Sequence, residues 1–162
     1  MTRPGSALAS LPVLSGLFAL TVGLHIAIHW AKRLAGGDLL DFRLTGEGAT
    51  ALLAEMAATP GQTEAHLWIT ATLDMLYPVA YGALVLGLCL RYAPRRPLVY
   101  AAPILLAAGL DLAENAVQLS ALLGSSAMLG AKTLLTPGKF VFAAIGSVIA
   151  TGLWAQAVFT KA

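Results

Sequence analysis

Residues 107–119 read AAGLDLAENAVQL and lie inside an apolar run that extends from Pro97 to Gly124. Most of this run has the composition of a helix that crosses a lipid bilayer. Asp111, Glu114 and Asn115 nevertheless fall within little more than one helical turn of it. A charged side chain in the middle of a membrane helix costs about 2.5–3.5 kcal/mol, so these groups are expected to face the interior of a helix bundle.

The composition of the chain predicts an integral membrane protein. Apolar residues make up 58% of the 162 positions and charged residues only 11%, whereas soluble domains average about 25% charged residues. The net charge of +2 is spread out and forms no basic cluster, so nucleic acid is not expected as a partner. The single cysteine, Cys89, cannot form an internal disulfide.

Four apolar runs are long enough to cross a membrane as helices, which takes about 20 residues each. They predict an all-α four-helix bundle forming one domain over residues 1–162, with spans at about 11–31, 67–92, 97–123 and 140–159. The first run is longer than a signal-peptide core and is followed by no small-residue cleavage site. We therefore interpret it as a retained span.

The connection between the first two spans is long and is predicted to lie outside the cytoplasm. Its residues 47–58, EGATALLAEMAA, place Ala49, Leu52, Leu53 and Met56 on one helical face. This pattern predicts a short amphipathic helix on the membrane surface.

The placement of lysine and arginine predicts the orientation of the bundle. Five such residues fall on each side, but Arg91, Arg95 and Arg96 are concentrated in the tight connection between the second and third spans. This local density favours a cytoplasmic location for that connection and for both termini.

The polar residues of the spans lie at matched depth. At about 1.5 Å of rise per residue, His25, Asp74 and Glu114 fall about 10–13 Å below the outer ends of their helices. Lys139 precedes the fourth span on the same side. The sequence therefore predicts a polar pocket in the outer half of the bundle, with Asp111 at its floor and Lys139 near its rim.

The residues predicted to form this pocket fall into two groups. The candidate acid–base residues are Asp74, Asp111, Glu114 and His25. The candidate ligand-binding residues are Tyr77, Tyr81, Asn115, His29 and Lys139. Residues three and four apart share a helix face, which groups these side chains on the second and third spans.

Three carboxyl groups in one pocket of low dielectric cannot all ionise cheaply, so the pocket is expected to retain protons or recruit a cation. Such groups can act as general acids, stabilise a cation or bind an amine, and histidine adds a base near neutral pH. On the sequence alone, Asp74→Asn and Glu114→Gln are expected to keep the fold and remove this titration.

Pro78 in the second span adds a constraint on the backbone. A proline inside a helix leaves the carbonyl four residues earlier, that of Asp74, without its helical partner. Inside a membrane, such a carbonyl is tolerated only where it faces protein or a wet cavity. The Asp74 carbonyl is therefore predicted to face the bundle interior.

The leading interpretation is a pocket for membrane lipid or another apolar or amphipathic small molecule, with isomerase-like acid–base chemistry and with no metal or cofactor. Three alternatives stay open. The polar residues can act as hydrogen bonds between helices. The chain can be a non-catalytic subunit or proton-path component of a larger complex, or a homo-oligomer. It can also bind a metal or haem through ligands among His25, His29, Asp74, Asp111 and Glu114.

Three short motifs resemble the emopamil-binding protein and sigma receptor group (the EXPERA domain). They are LHIAI at residues 24–28, LDMLYPVAY at 73–81 and RRPLVYAAP at 95–103. The resemblance implies four spans with cytoplasmic termini and a sterol or amine ligand in an intramembrane pocket. It also implies that Asp74 is the ligand-binding or catalytic acid, with His25 nearby, and that the reaction shifts a sterol double bond by protonation, as in some members.

The chain also resembles uncharacterised four-span bacterial membrane proteins. The shared features are an acid followed by Tyr-Pro and a further tyrosine in the second span, and a D-x-x-E-N motif in the third. This second resemblance implies no activity.

Cysteine labelling tests the predicted orientation. Cysteine at Gly61 is expected to react with a membrane-impermeant thiol reagent added to intact cells, and cysteine at Ala93 is not, because only the former lies outside the cytoplasm. The measurement is the extent of labelling in a variant that lacks Cys89. The reverse pattern would overturn the orientation.

Overall fold

The computed structural model describes residues 7–36, 40–93 and 95–159 of the chain. Within these ranges the structure consists of helices joined by turns and contains no strand. The α-helices are α1 (Leu11–Leu34), α2 (Gly46–Ala57), α3 (Gln62–Ile69), α4 (Met75–Tyr92), α5 (Pro97–Leu122) and α6 (Lys132–Phe159). A π-helical turn over Thr70–Asp74 joins α3 to α4.

Four helices are long and apolar enough to cross a membrane. They are α1, the continuous rod formed by α3, the π turn and α4, then α5 and α6. This confirms the all-α bundle of membrane-spanning helices that the sequence predicts, and the protein is a multi-pass membrane protein.

The boundaries of two spans differ from the prediction. The second rod begins at Gln62, five residues before the predicted start at 67. The fourth helix begins at Lys132, eight residues before the predicted start at 140. The sequence Pro137-Gly138 suggested a loop there, but α6 continues through Pro137 with the loss of one helical hydrogen bond. Lys132 and Lys139 therefore belong to a helix.

The described helices pack in a defined order. α5 packs along α6 and along α4, and α1 packs chiefly against α4. α1 and α6 therefore flank α4. The α1–α4 contact is close, since a Cβ on Gly87 would lie 2.7 Å from Leu14 Cδ2. The α5–α6 contact is equally close, since a Cβ on Gly146 would lie 2.7 Å from Ile104 Cβ.

The predicted amphipathic helix forms as α2, and its apolar face packs on the rest of the protein. The side chain of Thr45 caps it by accepting a hydrogen bond from the Gly48 N–H at 3.1 Å. Its apolar face is buried against the C-terminal part of α5 and the turn that precedes α6. The apolar face therefore packs on protein, and the position of α2 at the membrane surface stays a prediction. The residues in this contact are Ala49, Leu52 and Met56 on α2 and Val117, Ala121, Leu122 and Leu129 opposite.

The turn before α3 affects the labelling experiment. Gly61 has a φ of +78°, a conformation in which a side chain is strained. Thr59 is exposed in the same connection. It is therefore the better position for the cysteine on this side.

The close α5–α6 approach predicts the effect of a substitution. Gly146→Val is expected to lower the free energy of unfolding by about 1–3 kcal/mol, because the added side chain meets Ile104. The measurement is thermal unfolding in detergent. Gly152→Val on the same helix is the control, since a Cβ there has nothing within 4 Å. Equal stability of the two variants would contradict the close approach.

Candidate intramembrane site

The acids of α5 are paired with lysines of α6. Lys132 Nζ donates to Glu114 Oε1, and both side chains are 0% exposed. Lys139 Nζ donates to Asp111 Oδ1 at 2.8 Å. It also lies 2.7 Å from Glu114 Oε2, as an ion pair without hydrogen-bond alignment. The chain itself therefore supplies the cations for these two carboxyl groups, and the cluster balances two acids with two lysines.

Two neutral side chains complete the coordination of Glu114. Thr136 Oγ1 donates to Glu114 Oε1 at 2.6 Å, and Gln118 Nε2 donates to the same oxygen at 3.2 Å. Both side chains are buried. The Glu114 carboxylate thus finds its donors within the protein, as a polar group inside a membrane-spanning bundle requires.

Sequence reasoning missed Lys132 and Thr136, although a signal was present. Lys132, Thr136 and Lys139 are spaced i, i+4, i+7, which puts them on one face of a helix. Asp111, Glu114 and Gln118 are spaced i, i+3, i+7 on the facing helix. The match was hidden because residues 132–139 were assigned to a connection and not to the fourth span.

Asn115 bonds to the backbone that Pro78 disrupts. Its side-chain Nδ2 donates to the carbonyl oxygen of Asp74 at 2.7 Å, and Asn115 is 0% exposed. This is the acceptor that a proline four residues later leaves without a helical donor. The prediction that this carbonyl faces the bundle interior is confirmed. The adjoining π turn is a kind of irregularity that is frequent at functional sites.

A cavity of about 440 Å³ lies between α1, α4, α5 and α6, and Phe42 also contributes to its lining. Most of the predicted site residues line this cavity, together with the hydroxyl groups of Thr21 and Ser147, and its other lining residues are apolar. The predicted site residues in the lining are His25, His29, Asp74, Tyr77, Tyr81, Asp111 and Lys139.

Three of the predicted positions differ in the structure. Glu114 and Asn115 were expected to wall the pocket, but they are absent from its lining and are completely buried beside it. Lys139 was expected at the rim, but it is only 7% exposed and belongs to the ion-pair cluster. The reason is the earlier start of α6, which places Lys139 about 10 Å along the helix from its first residue.

The polar side chains of the cavity form a connected series. Tyr81 OH donates to Asp111 Oδ2 at 3.2 Å, and the rings of Tyr81 and Tyr77 pack edge to face with centroids 5.2 Å apart. Tyr77 OH lies 3.5 Å from His25 Nδ1, and the rings of His25 and His29 are 4.4 Å apart. The series leads from the exposed histidines of α1 to the buried Asp111–Lys139 pair.

This arrangement can donate and accept protons and hydrogen bonds at one end of an apolar space. Asp111 and Lys139 neutralise one another, and the phenols and imidazoles remain available to a ligand. Among the described residues, no three His, Cys, Asp or Glu side chains converge in a way that could hold a metal ion. The cavity thus combines apolar walls with a few polar groups at one end.

Comparison of the chain with models of known protein families, with curated proteins and with solved structures finds no match. The resemblances described above therefore rest on short motifs. The function has to be inferred from the geometry of the site.

The burial of Lys132 against Glu114 reverses one expectation drawn from the sequence. Glu114→Gln was expected to keep the fold, but it removes the carboxylate that faces the buried ammonium of Lys132. Glu114→Gln and Lys132→Met are each expected to lower the free energy of unfolding by about 3–5 kcal/mol. The double variant keeps the Asp111–Lys139 pair and is expected to recover much of the loss.

The measurement is thermal unfolding of the two single variants and the double variant in detergent. Glu55→Gln is the control, since Glu55 is exposed on α2. Additive losses in the double variant would contradict a pairing between Glu114 and Lys132, because independent sites add and coupled sites do not.

Proposed function

We propose that the protein binds an apolar or amphipathic, lipid-like ligand in the cavity between α1, α4, α5 and α6. The observation that carries this proposal is the cavity itself. Its volume of about 440 Å³ falls within the roughly 300–1,000 Å³ of small-molecule sites, which are mostly apolar with a few placed polar groups. Its position among membrane-spanning helices favours a ligand that partitions into the bilayer.

The polar end of the cavity supports a role for acid–base chemistry. Asp74, Asp111 and His25 all line it. Because Asp111 is paired with Lys139, Asp74 is the candidate acid that delivers a proton to a bound ligand, and the His25 imidazole can remove one near neutral pH. A proton added at one atom and removed at another is the chemistry of an isomerase.

The ion-pair cluster supports the proposal because it holds the polar end in place. Asp111 and Lys139 are bonded to one another and, through Lys139, to Glu114. Glu114 is held in turn by Lys132, Thr136 and Gln118. A binding group fixed by such a supporting layer loses little freedom when a ligand arrives.

The burial of two lysines also supports the proposed orientation in a bacterial inner membrane. Lys132 and Lys139, two of the five basic residues on the side assigned to the exterior, are paired with acids inside the bundle. On the opposite side, Arg91, Arg95 and Arg96 lie close together in one short connection. We therefore place both termini and the connection between α4 and α5 in the cytoplasm.

Ligand retention tests the proposed function. Native mass spectrometry of the purified protein, with solvent extraction of the released molecule, is expected to find an organic ligand on the unmodified chain. Tyr81→Phe and Asp74→Asn are expected to lower the bound fraction several-fold without unfolding the protein. The first removes a hydroxyl group and the second an ionisable carboxyl group, and both keep the shape of the cavity.

Tyr100→Phe is the matched control, since Tyr100 is exposed and does not line the cavity. An unmodified chain that retains no ligand from native membranes would contradict the proposal. Equal retention by the Tyr81→Phe and Tyr100→Phe variants would do the same.

A further inference from the structure

A second cavity continues the first along the bundle. Its volume is about 740 Å³, and it lies between α1, α4 and α6. The two cavities share Leu84, Val85 and Ser147. Together they form one groove, whose floor is α4 and whose sides are α1 and α6.

We propose that the ligand is a linear lipid with a small polar head and a single long apolar tail, and that this second cavity holds the tail. The inference rests on the proposed function, because the head occupies the first cavity. It adds a tail site and a chemical class of ligand.

The carboxyl groups, the lysine and the imidazoles of the groove line the first cavity and do not line the second. The first cavity contains two carboxyl groups, a lysine, two phenols and two imidazoles. The polar side-chain groups of the second cavity are hydroxyl groups and one indole N–H. They belong to Ser15, Tyr92, Ser147, Thr151 and Trp154. A head with hydrogen-bonding oxygen atoms is therefore favoured in the first cavity, and an apolar chain in the second.

The groove is long enough for an extended tail. On α1 its lining runs from Leu11 in the second cavity to His29 in the first, a rise of about 27 Å. The hydrocarbon core of a bilayer is about 30 Å thick. Tyr92 and Trp154 lie at the far end of the groove, where aromatic residues mark a membrane interface. A compact ring system would fill the first cavity and leave the second without an occupant.

The surroundings of the groove favour lipid as its occupant. α1 packs chiefly on α4, and the groove lies between α1 and α6. Leu11, Phe18 and Trp154 line it and are more than half exposed. Since these helices are membrane spans, the groove opens sideways to the hydrocarbon phase. An apolar chain can enter it from there without crossing water.

Blocking the second cavity tests the tail site. The probes are photoreactive octanol and hexadecanol, which have the same hydroxyl head and differ in tail length. Thr151→Trp and Ser15→Trp fill the second cavity from α6 and from α1. Each is expected to weaken hexadecanol binding by about tenfold or more, the loss that follows when roughly two methylenes are excluded. Octanol binding is expected to stay unchanged.

Val148→Trp is the matched control, because Val148 is exposed on α6 and lines neither cavity. It is expected to change the binding of neither alcohol. Tyr81→Phe, which alters the head region, is expected to weaken both alcohols equally. Using two blocking variants on different helices keeps the test decisive if one of them fails to fold.

The outcomes separate the tail site from the proposed function. If hexadecanol binds no better than octanol, or if neither blocking variant affects it while Tyr81→Phe weakens both alcohols, the tail site is wrong and the binding function stands. If Tyr81→Phe affects neither alcohol, the proposed function fails as well. If the blocking variants convert a dimer into monomers and leave hexadecanol binding unchanged, a second copy of the chain occupies the groove, and the tail site is overturned.

Discussion

The pairing of two acids on α5 with two lysines on α6 is the constraint on which the rest of the structure depends. The free-energy cost of placing four charged side chains inside a membrane-spanning bundle is offset only when each acid is paired with a base. The Lys132–Glu114 and Lys139–Asp111 contacts require α5 and α6 to run antiparallel with one particular register. A shift of one helical turn would leave charges opposite apolar side chains. The cluster thus specifies how these two helices meet.

The cluster has two sides with different surroundings. Glu114 and Lys132 are completely enclosed by protein, while Asp111 and Lys139 also line the first cavity. The enclosed half holds the other half in place, so that a carboxylate and an ammonium stand at fixed positions facing the cavity. Asn115 plays a similar part for the second rod, because it satisfies the Asp74 carbonyl and so accommodates Pro78. Polar groups of α5 therefore hold in place both the second rod and α6, which line the cavity on different sides.

Much of the fold and part of the candidate site could be predicted from the sequence, because hydropathy, depth and helix face are local properties. The apolar runs identified four spans, and the spacing of Asp74, Tyr77 and Tyr81 put them on one face of the second rod, where all three line the cavity. The errors arose where local signals mislead. Pro137 and Gly138 suggested a loop within what is the first part of α6. The amphipathic pattern of α2 predicted the helix, but not that its apolar face packs on α5.

The sequence by itself determined that the chain crosses a membrane as a helical bundle and that Asp111, Glu114 and Asn115 face its interior, because each of these follows from the cost of polar groups in hydrocarbon. Only the tertiary structure decided which groups meet them. Lys132 opposes Glu114, and Glu114 and Asn115 lie outside the cavity, because the packing of α6 on α5 and α4 sets these positions. Partners across helices depend on register and rotation between elements distant in the chain, and no local pattern encodes these.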